Sequence, residues 1–149
     1  MRRVTAGLVL AAALMGIGAS PKEDASKKDL ERMQGDWAAA SMVRDGEALP
    51  EDDAQALFRT VKDDQYTVFR FRTPAGKGTF KVDATKEPRA IDFLPDGNVT
   101  GGKPLLGVYE WQGPDRYRVC FAPPGEERPT DFACKKGSNQ TLTVWRRER

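Results

Sequence analysis

From Asp36 onward the chain is a succession of short β-forming runs, each stopped by turn formers, and no other feature constrains its fold as strongly. Strand side chains alternate between two faces, so a half-buried strand shows apolar residues at every second position. Arg116 to Phe121 fits, with Tyr117, Val119 and Phe121 opposing Arg116, Arg118 and Cys120. Leu105 to Trp111 places Leu105, Gly107, Tyr109 and Trp111 on one face. Gly78 to Asp83 and Arg89 to Leu94 alternate in the same way through Phe80, Val82, Ile91 and Phe93. Gln65 to Arg72 carries Tyr66, Val68, Phe69 and Phe71 and stops at Thr73-Pro74-Ala75-Gly76. Asp36 to Arg44, Phe58 to Val61 and Thr141 to Arg146 complete the set. Asp45-Gly46, Lys62-Asp63-Asp64, Pro95-Asp96-Gly97-Asn98 and Gly113-Pro114-Asp115 supply other turns. About eight strands with mostly short connections predict an all-β, antiparallel up-and-down barrel. A short helix is expected after the first strand, where Pro50 and three acids precede Ala54, Ala56 and Leu57. Ala122 to Asn139 reads as a long loop.

The N-terminus follows another logic. Arg2 and Arg3 precede an uncharged, mostly apolar run from Val4 to Ile17, small residues follow, and the chain turns polar at Pro21-Lys22-Glu23-Asp24. This is the three-part pattern of a secretory signal, residues 1–20. An uncleaved anchor is the competing reading, but a span needs about 20 apolar residues. Residues 21–29 read as a polar leader or a frayed helix start. Asp29 is expected to begin a short helical turn, and residues 30–149 form the folded domain. The expected location is extracytoplasmic, periplasmic or secreted, with no stable membrane span after cleavage.

The chain has 24 Lys+Arg and 22 Asp+Glu, so losing Arg2 and Arg3 with the signal leaves a neutral domain. Neutrality argues against a nucleic-acid partner, because phosphate binding needs a basic excess or face. There is no histidine, which excludes Ser-His-Asp and Cys-His catalysis and a Cys/His zinc site. No motif implies a cofactor or metal, and the chain is not expected to be an enzyme. Cys120 and Cys134 either form a disulfide, as exported pairs can, or remain two buried thiols.

Gly35-Asp36-Trp37 at the start of the first strand resembles the Gly-x-Trp of lipocalins and their calycin relatives. That resemblance implies a Trp closing the barrel base beneath an Arg just after the last strand, for which Arg146 and Arg147 are available. A closer resemblance is to a family of uncharacterised bacterial extracytoplasmic domains, abundant in planctomycetes, with a lipocalin-like appearance. It rests on Leu30 to Trp37, Asp45 to Pro50, Lys77 to Asp83, Lys86 to Asp92, Leu106 to Glu110 and Cys120 to Phe132. Cys134 lies outside those segments, which weakens the disulfide. The family implies a fold and no activity.

The leading expectation is a non-enzymatic module that holds a small apolar or amphipathic ligand. Tyr66, Phe69, Phe71, Tyr109, Tyr117 and Phe121 would form its apolar wall. If the opposite strand faces turn inward, Arg70 and Arg118 would line a polar cavity instead. Arg128 either serves a binding loop or pins that loop through Glu126, Glu127 or Asp131. The alternative is a filled-core barrel that acts on a protein partner. The paired acids, such as Asp52-Asp53 and Asp63-Asp64, suit turn and cap duty.

Overall fold

The computed structural model describes residues 20–149, so the expected signal lies outside the described residues except for Ser20. Helix α1 spans Pro21–Arg32. Its start is well specified: the Ser20 side chain accepts from the Glu23 amide, Pro21 leads, and Glu23 and Asp24 occupy the first turn. Of the two readings of residues 21–29, a polar leader and a frayed helix start, the stretch follows the helical one, and Asp29 lies near the end of the helix rather than starting one. No described helix is long and apolar enough to cross a membrane.

Nine strands follow: β1 (Gly35–Arg44), β2 (Glu47–Ala48), β3 (Leu57–Lys62), β4 (Gln65–Arg70), β5 (Thr73–Asp83), β6 (Arg89–Pro95), β7 (Leu105–Trp111), β8 (Arg116–Phe121) and β9 (Thr141–Arg147). A short helix, α2 (Glu51–Gln55), sits between β2 and β3. All pairings are antiparallel, and β1 also pairs with β9. The result is a closed, eight-stranded up-and-down barrel with β2 added as a two-residue arm on β1. Closure leaves no full-length edge strand exposed.

One turn differs from expectation. Thr73 to Gly76 belong to β5, and the reversal is made by Phe71 and Arg72, with φ of 49° and 64°. A register shift between Val68 and Phe69 brings Pro74 opposite Phe69. Such an irregularity lets a proline enter a strand that an unbroken ladder would exclude.

One end of the barrel is plugged. Trp37 is wholly buried, packs edge-on to Tyr117 at 4.9 Å, and donates through Nε1 to the Met33 carbonyl at 2.8 Å. The Arg147 guanidinium lies 4.3 Å from the Trp37 ring and donates to the Gln34 carbonyl at 2.8 Å and to Asp115 at 3.0 Å. Arg146 is exposed and pairs with Glu148 instead. Gly35 introduces Trp37 at φ 104°, a conformation that residues with a Cβ rarely adopt. Helix α1 seals the same end. Its buried Asp29 accepts from the Tyr109 hydroxyl at 2.7 Å and from Arg89 at 2.9 Å.

The outer wall has a second apolar layer. Ala90, Val108 and Cys120 are neighbours across β6, β7 and β8, and all three are buried. The loop between β8 and β9 supplies the buried Pro129 and Cys134. Arg128 pins this loop, donating to Asp92 at 2.6 Å and to the Gly107 carbonyl at 2.9 Å. Its partner is therefore on β6, not Glu126, Glu127 or Asp131 as the local sequence suggested.

Cys120 and Cys134 are free and form no bridge. Their sulfurs meet Gln140 separately: Cys134 at the carbonyl (3.3 Å) and Cys120 at the side-chain oxygen (3.6 Å). Burial, with a smaller contribution from Cys134, pushes the Cys120 thiol up to about 11. Because the thiolate is the nucleophile, Cys120 is expected to resist a thiol reagent at pH 8 until the protein is denatured. Rapid reaction of the native protein, read by absorbance, would contradict this burial.

Candidate functional site

The inward residues of each strand fill the plugged end and then stop short of the other. Towards the opposite end lies a cavity of about 700 Å³. Leu57 of β3, Val68 of β4, Leu105 of β7, Val119 of β8 and Trp145 of β9 contribute apolar wall. Phe93 of β6 is central: Tyr66 stacks on it at 4.2 Å and Phe121 packs against it at 4.9 Å. Ala122, Pro123 and Pro124 line the mouth where the long loop leaves β8. The charged lining is mixed, with Arg44, Arg70 and Lys77 together with Asp45, Asp53 and Asp96.

The structure divides the wall read from sequence. Tyr66 and Phe121 line the cavity. Tyr109 and Tyr117 point inward but belong to the plug, where Asp29 and Trp37 occupy them. Phe69 and Phe71 are not wall. Val68 and Arg70 line the cavity, so alternation turns Phe69 outward, opposite Phe58 of β3. Phe71 sits in the β4–β5 turn and is 67% exposed. Arg70 belongs to the charged lining, whereas Arg118 points outward, pairs with Glu110 at 2.9 Å and covers the Phe132 ring at 4.1 Å. The apolar faces of β7 and β8 are the inward ones, so Arg118 lines no polar cavity.

No family model, curated protein or solved structure matches the chain. The geometry of the site therefore has to speak for itself.

Its most informative residue is Arg59, which no motif singled out. Arg59 is 2% exposed and lines the cavity. Its guanidinium lies 4.5 Å from the Trp145 ring, 5.2 Å from Phe93 and 5.5 Å from Tyr117. Its Nε has no hydrogen-bond partner among the described residues. No acidic side chain among the described residues is within ion-pair distance of it. Burial lowers its pKa to about 9, partly offset by nearby Tyr66, so it remains a cation at neutral pH. Burial also raises the Tyr66 hydroxyl to about 12, which keeps it a neutral donor. The sequence did contain one signal. Leu57, Arg59 and Val61 share one strand face, and a charge between two apolar residues on an inward face is a conflict in search of a reason.

Proposed function

We propose that this chain is an exported, non-enzymatic binding module that holds a small apolar or amphipathic molecule in its barrel, outside the cytoplasm. The observation that carries the reading is the cavity. Its volume falls within the roughly 300–1,000 Å³ of small-molecule sites, and its wall is mostly apolar with a few polar groups, as such sites are. An eight-stranded barrel is wide enough to hold one small ligand or to fill with side chains. The open space beside Arg59 supports the first over a filled core. The Gly35-Asp36-Trp37 start of β1, with Arg147 stacked on Trp37, supports kinship with lipocalin-like domains, and the signal pattern of residues 1–20 supports export.

Native mass spectrometry of gently purified protein tests this reading. The expected result is excess mass that disappears on denaturation. A bare polypeptide mass, together with failure to bind an apolar fluorescent dye, would overturn it. A second reading, a domain that docks on a protein partner, is favoured by one observation. Phe71 and Val99 are 67% and 79% exposed, and apolar groups left in water at one end of a barrel suit a partner.

A further inference from the structure

Resting on the binding reading above, we infer that the ligand is a carboxylate-headed amphiphile that enters head first and pairs with Arg59. A buried cation without a counter-ion is costly, and proteins normally pair such a charge or expose it. Here the surrounding aromatic faces stabilise the guanidinium in part but offer no acceptor. Trp145 beside it is in the same position, because its Nε1 is also buried without a partner. The floor thus carries one positive charge that no described acidic side chain compensates, beside two buried donors without partners among the described residues.

A carboxylate is acceptor-only and matches the fork of a guanidinium, which makes it the complement of that floor. The charge count favours a monoanion. The three other cations and three acids of the lining balance one another, leaving Arg59 as its single net charge. A dianionic head would carry a second charge into a site with nothing to neutralise it. The apolar wall between floor and mouth then receives the hydrocarbon body. Orientation follows: the head lies at the floor, and the tail end lies towards Phe121 and the mouth.

Isothermal titration calorimetry with decanoate, decanol and decyltrimethylammonium separates head from body. The wild type is expected to bind decanoate roughly tenfold or more tighter than decanol, and the cation weakest. Arg59→Met is expected to remove that preference, bringing decanoate and decanol to equal affinity. Equal binding of decanoate and decanol by the wild type would overturn the head-group inference and leave the cavity reading standing. Binding of none of the three probes would overturn both. The wild-type comparison needs no variant, and Arg59→Lys, which keeps the charge, is expected to retain part of the preference if Arg59→Met does not fold.

Discussion

Trp37→Ala is expected to lower folding stability by about 3–5 kcal/mol, the range for deleting a large buried aromatic. The site cannot collapse around the loss, because closed strands hold the surrounding wall apart. The ring also packs against Tyr117 and Trp111, lies beneath Arg147 and donates from Nε1 to the Met33 carbonyl. Removing the cation alone should do less. The stack lost in Arg147→Ala contributes about 0.5–2 kcal/mol, although that variant also frees the Gln34 and Arg32 carbonyls and leaves Asp115 with Arg149 alone. Trp37→Phe should fall between wild type and Trp37→Ala, since it keeps a ring and loses the indole donor. Guanidinium unfolding curves would rank the three. A Trp37→Ala loss below about 1 kcal/mol would mean that the plug does not hold the barrel together.

Asp29→Ala is expected to cost about 2–4 kcal/mol, and most of that through Tyr109. The Tyr109 hydroxyl is buried and has Asp29 as its acceptor, so the variant leaves a buried donor with nothing to meet. Arg89 suffers less because its side chain is 42% exposed and can turn to water. Tyr109→Phe should therefore relieve Asp29→Ala, with the double variant losing about 1–2 kcal/mol less than the two single losses added together. Strict additivity in that cycle would deny the contact. Tyr109 also has a pH consequence. Burial first, and then the Asp29 hydrogen bond, raise its pKa above the ordinary 10.0. The unfolded chain releases the tyrosine proton above pH 10 while the folded protein keeps it, so stability falls as pH rises beyond that point. The same slope, measured on Tyr109→Phe, should be shallower.

The two variants probe parts of the plug that differ in how far the sequence revealed them. Gly35-Asp36-Trp37 and a terminal arginine were visible as a pair through the resemblance to the lipocalin Gly-x-Trp, which implies an arginine just after the last strand. Asp29 was not. Its segment read as either a polar leader or a frayed helix start, and its partners Tyr109 and Arg89 are brought to it only by the closing of the barrel. Arg59 was missed for a related reason. Its inward position could be read from Leu57 and Val61, but its isolation could not, since a missing counter-ion depends on every strand around the cavity. Phe69 and Phe71 failed differently. Four apolar residues within Gln65 to Arg72 do not share one alternation, and the turn at Phe71 and Arg72 was hidden by the stronger turn formers just after it.

The sequence by itself determined the barrel class, close to the observed strand count, and the short helix after the first strand. These follow from period-two alternation and turn chemistry, both of which act within a few residues. Tertiary structure alone decided that Arg147 rather than Arg146 covers Trp37, because the pairing of β9 with β1 sets which parity faces in. It also decided that Arg128 reaches Asp92, that the two thiols remain free, and that the barrel is plugged at one end and hollow at the other. Each of these depends on which distant strands become neighbours, and local alternation carries no record of that.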